Sequence, residues 1–461
     1  MTSINPHIFR AYDIRGVAGT DITTEAAHAI GQAFGTVLKE KYRIDHPAVV
    51  VGWDARLSSP ALAEAATEGL LAAGCHVLVM SQTPSPLNYF TICTQNLDGG
   101  VQITASHNPK EDNGIKLQVR DAEAYSGEDL QDLRRRIEAG TFAEGEGSME
   151  DIDAVTPYLA FLEQKFSGSA AGFHVVVDGG NGVAGTAYAQ ALRRAGAEVT
   201  GLFLEPDGTF PNHPADPSKH DTLRDLQAKV KETGADIGIA FDGDGDRIGV
   251  VDEQGRIRTP DEILLLLAED LLARHPGASV IFTVSNSGIL QTEIQKMGGK
   301  PVMCSVGHSF VEHMMREHGA LLGGEQSGHF FPAEDYYGFD DALVATLHLV
   351  KILKGRKKPL SKVLSAYPTV YQAPERRPHC PDDKKADVVR RAAEHFAKTY
   401  PVNTLDGARI DFGHGAWAGI RKANTSPRIS ICIEARSPEK LKEVEEIVLG
   451  HMKTYTEIKW D

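Results

Sequence analysis

Thr104 to Lys116 reads TASHNPKEDNGIK. Ser106, His107 and Asn108 stand together before Pro109, and Gly114 and Lys116 follow. The apolar run VQIT ahead of them reads as a strand, whose own packing has no use for that set of polar groups. A second stretch, FDGDGDR, alternates Asp242, Asp244 and Asp246 with Gly243 and Gly245. Three carboxylates this close repel one another unless a cation joins them. Their oxygens suit Mg²⁺, which takes few protein carboxylates and completes its shell with phosphate or water. The glycines let the backbone curl so that the three side chains converge. An EF-hand shares the acidic spacing, and Glu253 falls at its twelfth position. However, Arg247 occupies the sixth, where that loop needs glycine, and the flanks read as strands. An acidic turn without an ion stays open. Arg247 directly after the carboxylates would serve beside a phosphoryl group.

Three further stretches carry polar groups in suggestive company. In LLGGEQSGHFF, Glu325 and Ser327 are two apart and face the same way in an extended loop, with glycines that admit a ligand. A carboxylate and a hydroxyl suit sugar hydroxyls; a glycine-rich turn with a capping serine is the plainer reading. His329 is either an acid or base or a packed neighbour of Phe330. GIRKANTSPR offers Arg421, Asn424, Thr425 and Ser426, either a phosphate clamp or a polar hairpin turn. FRAYDIRG adds Arg10, Tyr12 and Arg15.

The elements that must position these groups follow a threefold pattern. AVVVGWD leads to a helix-forming segment that stops at Gly74, then CHVLVM; HVVVDGGNG leads to one that stops at Gly196, then AEVTGLF; SVIFTVSNSG leads to one that stops at Gly298, then KPVM. Each reads as strand, turn, helix, strand, which predicts three similar mixed α/β domains in tandem. Ser59 and Pro60 suit the cap and first position of the first helix. GTFAEGEGSME and DEQGRIRTPDE read as linkers, and APERRPHCPDD opens a different region. There a helix from about Lys385, short strands at ARIDF, AWAGIR and RISICIEA, and a closing helix from Glu439 predict a C-terminal α+β domain with an antiparallel sheet. The boundaries expected are 1–149, 150–254, 255–367 and 368–461.

Composition limits the partners. The chain has 461 residues with 48 Lys and Arg against 63 Asp and Glu, a net charge of −15. That argues against nucleic acid, whose binding rests on phosphate neutralisation. An anionic substrate therefore needs its basic residues gathered in one place. No apolar run approaches membrane-spanning length, and the opening MTSINPHIFRAYDIRG lacks a signal-peptide core. Five scattered cysteines fit reduced thiols in a cytoplasm.

Taken together and in order, TASHNP, DGDGDR, GEQSGH and a C-terminal arginine–asparagine–threonine turn resemble the α-D-phosphohexomutases. FRAYDIRG and the GHS at Gly307–Ser309 are most similar to the bacterial phosphomannomutase/phosphoglucomutase group. The resemblance covers the whole chain, one motif per domain around a central cleft. It implies that Ser106 carries a phosphoryl group and, with Asp242, Asp244 and Asp246, surrounds Mg²⁺. It further implies transfer to a hexose monophosphate (mannose or glucose), a bound 1,6-bisphosphate that reorients, and return of the other phosphate to Ser106. Glucose 1,6-bisphosphate, or another hexose 1,6-bisphosphate, would be the activator. On this resemblance Lys116, Arg247, His308 and His329 are catalytic, with Lys116 and His329 moving protons. Tyr12, Arg15, His107, Glu325, Ser327, Arg421, Asn424 and Thr425 bind substrate. A cytoplasmic monomer or weak homodimer is expected, acting on small molecules and not on nucleic acid or membrane. Two positions depart from the group: Ser285 stands where relatives often carry lysine, and Ala423 where they often carry serine. TVSNSG and GGEQSGH look more like the phosphoglucosamine mutase branch, so glucosamine phosphate is the alternative sugar. A non-catalytic sugar-phosphate binder on the same fold is the alternative of another class.

Overall fold

The computed structural model describes residues 4–424 and 426–460. The first sheet contains β1 (Ile14–Val17), β2 (Ala48–Trp53), β3 (His76–Gln82), β4 (Gly99–Ile103), β5 (Asp112–Val119) and β6 (Ser148–Asp151) in the order β1-β5-β4-β2-β3-β6. Strands β4, β2, β3 and β6 run parallel, while β5 and β1 are antiparallel additions. The second contains β7 (His174–Asp178), β8 (Glu198–Leu202), β9 (Ile237–Phe241), β10 (Ile248–Asp252) and β11 (Ile257–Arg258), ordered β11-β10-β9-β7-β8. Here β9, β7 and β8 are parallel and β10 and β11 close the edge antiparallel. In the third, β12 (Ser279–Thr283) pairs in parallel with β13 (Lys300–Cys304) and β14 (Leu322–Gly324). Strand β15 (Phe330–Pro332) follows. The last sheet is antiparallel throughout: β16 (Tyr371–Gln372), β17 (Val402–Asn403), β18 (Ala408–Asp411), β19 (Trp417–Lys422) and β20 (Ile429–Ala435), ordered β16-β20-β19-β18-β17.

The repeat read from the sequence has one more strand than expected. In each copy the strand–helix–strand unit supplies β2 and β3, β7 and β8, or β12 and β13. The other side of the leading strand is taken by β4, β9 or β14. The three loops of chemical interest leave the C-terminal ends of these added strands: Ser106 after β4, Asp242 after β9 and Glu325 after β14. Ligands of parallel α/β sheets gather at such strand ends. The strands are buried on both faces, which is why they read as runs of apolar residues and glycine, broken only by the buried Gln102 in β4.

Gly74, Gly196 and Gly298 stand just past the helix ends, as expected. Three readings need correction. Ser59 does not cap its helix: Ser58 occupies the cap position without a side-chain capping bond, and the Ser59 hydroxyl donates to Asp54. GTFAEGEGSME is not all linker, since Ser148–Asp151 adds an edge strand beside β3. Ile257–Arg258, inside DEQGRIRTPDE, likewise closes the second sheet. Both edge strands are short and polar or half-exposed, so they carry no apolar signal.

The chain forms two compact units, Met1–Ile263 with Ser327–Val363, and Leu264–Gln326 with Leu364–Asp461. It passes between them at 263/264, 326/327 and 363/364. In the first unit, Ile30, Phe34 and Leu38 from the helix Thr24–Tyr42 pack with Val49, Val51, Val101 and Ile103 of the sheet. In the second, Val388, Phe396, Val444 and Val448 from two helices cover Ile420, Ile431 and Ile433. No helix among the described residues is long and apolar enough to cross a membrane.

Candidate active site

In the first unit Ser106 sits at φ 52°, a left-handed conformation that few non-glycine residues adopt. Its amide donates to Thr104 Oγ1 at 2.8 Å. Its hydroxyl, buried, donates to Asp242 Oδ2 at 2.6 Å. The loop around it is braced by Arg56, whose buried guanidinium donates to the carbonyls of Ser106 (2.8 Å), Asn108 (2.7 Å), Pro109 (2.5 Å) and Asp112 (2.9 Å). Arg56 Nε is paired with Asp54 at 3.0 Å. Asp54 in turn accepts from Ser59 Oγ at 2.6 Å and from Thr104 Oγ1 at 2.8 Å. Sequence reading missed this pair. Its trace is GWDAR, two opposite charges directly after an apolar strand.

Asp242, Asp244 and Asp246 are buried and offer oxygens that all lie within 4.8 Å of one another. The loop curls on itself: Asp242 Oδ1 accepts from the amides of Gly245, Asp246 and Arg247, each at 3.1 Å. Gly245 takes φ 78°, and a Cβ on Gly243 would lie 2.4 Å from the Ser106 carbonyl oxygen. The two loops therefore touch where a side chain would not fit. Lys116, on β5, reaches across with Nζ 2.8 Å from Asp244 Oδ2 and 2.5 Å from Asp246 Oδ2. Ser85 donates to Asp244 Oδ2 at 2.6 Å, another contact missed from the sequence.

Burial works against charge on all three carboxylates, and their neighbours decide the outcome. Asp242, facing Asp246 and Asp244 without a lysine of its own, is pushed well above the ordinary carboxylate range. Burial also raises Asp244, but Lys116 and Ser85 outweigh it and hold that carboxyl below its usual value. Asp246 is held lower still, because Lys116, with help from Arg247, overcomes its desolvation. Burial alone would drive Lys116 toward neutrality; Asp244 and Asp246 instead raise it well above the usual lysine value.

Basic groups gather on the same side. Arg15 pairs with Asp13 at 2.6 Å and donates to the Ala105 carbonyl at 2.9 Å, and Tyr12 on the same segment is partly buried. His107 Nδ1 is 3.2 Å from Ser106 Oγ. Burial, then Arg247 and Arg15, push the His107 pKa well down, so this imidazole is neutral. Arg247 Nε donates to His329 Nε2 at 3.0 Å, which leaves Nδ1–H of His329 to donate to Ser327 Oγ at 3.0 Å. The first unit thus brings together Ser106, His107, Arg15, Lys116, the three aspartates, Arg247, Ser327 and His329.

The second unit assembles the remaining candidates. Glu325, buried, accepts from the Gly307 amide at 2.9 Å. His308 opens the helix His308–His318, with Nδ1 3.7 Å from Glu312. Arg421, on β19, pairs through Nε (3.0 Å) and Nη2 (2.8 Å) with Asp406 Oδ2. Asn424 Nδ2 donates to the Val306 carbonyl at 3.0 Å. Thr425 lies outside the described residues. Ala423 is buried, and its carbonyl accepts from Lys385 at 2.7 Å. Ser285 stands in a turn whose Val284 and Asn286 carbonyls both accept from Arg409.

The donor set fits a divalent cation. It consists of hard carboxylate oxygens; among the described residues Asp244 Oδ1 is buried without a hydrogen-bond partner, Asp246 Oδ1 faces only His329 Nε2 at 3.2 Å, and the Lys116 ammonium already lies against the same two carboxyls. A second grouping, Asp246, His329 and Asp340, is less suited, since His329 Nε2 is taken by Arg247.

Four family models cover the chain in order. Phosphoglucomutase/phosphomannomutase alpha/beta/alpha domains I, II and III match residues 6–144, 156–255 and 259–371, and the C-terminal domain matches 377–451. The phosphomannomutase/phosphoglucomutase of Pseudomonas aeruginosa is 41% identical over 97% of this chain and 95% of its own length. The phosphoglucomutase of Neisseria gonorrhoeae is 37% identical over 96% of each chain. The crystal structure of a phosphoglucomutase/phosphomannomutase family protein from Burkholderia thailandensis superposes with a TM-score of 0.90 at 36% identity, over 99% of this chain and all of that one. With a buried serine on a carboxylate triad and matches across all four domains, the chain belongs to the phosphoglucomutase/phosphomannomutase family and is a hexose phosphate mutase, an isomerase.

Proposed function

We propose that the chain interconverts hexose 1-phosphates and hexose 6-phosphates of mannose, glucose or both through a phosphoryl group carried on Ser106. The observation that carries this reading is the 2.6 Å contact of the Ser106 hydroxyl with Asp242, on a left-handed residue pressed against the carboxylate loop. Asp242, Asp244 and Asp246 would hold Mg²⁺, which when bound neutralises charge on the phosphoryl oxygens. Arg15 and Arg247 supply further positive charge to the same group. A sugar hydroxyl attacks phosphorus, the bond from phosphorus to Ser106 Oγ breaks, and a bound 1,6-bisphosphate results. Lys116, held cationic by Asp244 and Asp246, and His329 would move the sugar hydroxyl protons, His329 accepting on Nε2 once Arg247 Nε parts from that nitrogen. In the second half-reaction the other phosphate returns to Ser106 Oγ. Glu325 and Ser327 bind sugar hydroxyls, His107 and Tyr12 flank the reacting phosphate, and Arg421, Asn424 and Thr425 clamp the phosphate that is not reacting. His308 contributes beside Glu325. A hexose 1,6-bisphosphate such as glucose 1,6-bisphosphate primes Ser106. We assign the chain to the cytoplasm, as a monomer or weak homodimer with no nucleic-acid or membrane partner, in four domains at 1–149, 150–254, 255–367 and 368–461.

The test is ³¹P NMR of the protein with Mg²⁺ and a trace of glucose 1,6-bisphosphate, offered mannose 1-phosphate, glucose 1-phosphate or glucosamine 1-phosphate separately. Conversion to 6-phosphates without free phosphate is expected, and its rates rank the sugars. Ser106→Ala is expected to lower turnover by about a thousandfold or more with the fold retained. Turnover unchanged in Ser106→Ala would overturn the assignment.

A further inference from the structure

Arg421, read above as a phosphate clamp, does not stand alone on its strand. Asp406 lies in the hairpin turn between β17 and β18 and accepts two bonds from the guanidinium on a single oxygen, Oδ2, from Nε at 3.0 Å and Nη2 at 2.8 Å. The pair is nearly dry, with 9% and 12% of the two side chains exposed. Nη1 of Arg421 has no partner among the described residues, so one edge of the planar guanidinium is fixed and the other is open. The same Asp406 oxygen accepts the Val306 amide at 3.0 Å, while Asn424 donates to the carbonyl of Val306 at 3.0 Å. One residue of the turn ahead of His308 is thus gripped on both polar groups from the clamp side. Its neighbour Gly307 donates to Glu325 at 2.9 Å. The close approach depends on Gly407: it takes φ 83°, and a Cβ there would lie 2.3 Å from the Ile420 carbonyl oxygen and 3.1 Å from Arg421 Cα.

We infer that Asp406 is a positioning residue that aims the open edge of Arg421 at the non-reacting phosphate and ties the clamp to the turn bearing Gly307 and His308. The inference rests on the reading of Arg421 as the clamp. Asp406 is expected never to touch substrate. It acts by removing the rotamers in which Arg421 would present a solvated or misdirected guanidinium, a cost otherwise met at each binding event.

A double-mutant cycle on KM, with Ser106 phosphorylation followed by ³¹P NMR, tests it. Asp406→Ala is expected to raise KM for the hexose phosphate, and Ki for inorganic phosphate, about tenfold, with kcat within about threefold and Ser106 phosphorylation retained. Arg421→Ala is expected to raise KM at least as far. The Asp406→Ala/Arg421→Ala double variant should be no worse than Arg421→Ala within about twofold, because one residue acts through the other. Asp406→Asn, which keeps an acceptor oxygen and the shape, should recover part of the loss; if Asp406→Ala does not fold, the cycle is run with Asp406→Asn. Multiplying effects in the double variant would overturn the inference, as would an unchanged KM in Asp406→Ala when Arg421→Ala raises it. An unchanged KM in Arg421→Ala would instead overturn the clamp reading, and this inference with it.

Discussion

Replacing Arg56 by methionine should loosen the loop that carries Ser106 while leaving much of the side-chain volume in place. The substitution removes the donors to four loop carbonyls and leaves Asp54 as a buried carboxylate without its counter-ion. Asp54 keeps the Ser59 and Thr104 hydroxyls and one backbone amide. Burial already raises its pKa despite Arg56, so losing that cation costs heavily. Breaking a buried pair by removing one partner costs about 3–5 kcal/mol. At about 1.4 kcal/mol per tenfold, the loop would open roughly two to three and a half orders of magnitude more often. Native-state hydrogen exchange reads this locally at the amides of Ser106, Asn108 and Asp112, bonded to Thr104 Oγ1, the Ala105 carbonyl and the Pro109 carbonyl. The Asp54→Asn/Arg56→Met double variant should lose less protection than Arg56→Met, because no unpaired charge remains. Exchange at these amides within about threefold of the parent protein would refute the brace.

Two further outcomes test other parts of the molecule. Gly243→Ala places a Cβ 2.4 Å from the Ser106 carbonyl oxygen, so the serine and carboxylate loops must part; steady-state kinetics should show kcat falling about 10- to 100-fold with the circular dichroism unchanged. Asp341 caps the helix Ala342–Arg356 and accepts from Tyr158 and Tyr336, and burial pushes its carboxyl up to about 6. A raised folded-state pKa means that the folded protein holds the proton more tightly. This contribution is therefore present below the unfolded value near 4 and lost as pH rises through about 6. Between pH 5 and pH 7.5, Asp341→Asn should gain about 1.4 kcal/mol in denaturation measurements relative to the parent protein, and a flat difference would remove Asp341 as the cause.

Much of this was legible in the residues because the signals are local. Asp242, Asp244 and Asp246 converge through five consecutive residues, and the strand–helix–strand repeats are written in apolar runs and helix-ending glycines. Strands β4 and β9 read as strands ahead of their loops, but that β4, β9 and β14 each pair with the leading strand of a repeat was not legible, since they join the sheet from outside the repeated unit. Ser59 was misread because a serine before a proline at a helix start suits capping equally well. Its hydroxyl is instead drawn to Asp54, a partner whose acceptance depends on Arg56 and Thr104. Lys116, Ser85 and Asp406 illustrate the other loss: each makes its decisive contact with a residue between 15 and 159 positions away, and no spacing rule reaches that far.

The way the chain weaves between its two compact units governs how it can be made. A ribosome that has delivered residues up to 326 has not yet supplied Ser327, His329 or the helix Ala342–Arg356, all of which belong to the first unit. By the time residue 363 emerges and that unit is whole, the segment 264–326 has been waiting for its partner 364–461. Neither unit can finish during synthesis before the other has begun. The two must mature with overlapping timetables, and the 264–326 segment, with the apolar strand β12 at its centre, is the stretch most exposed to premature association in the interval.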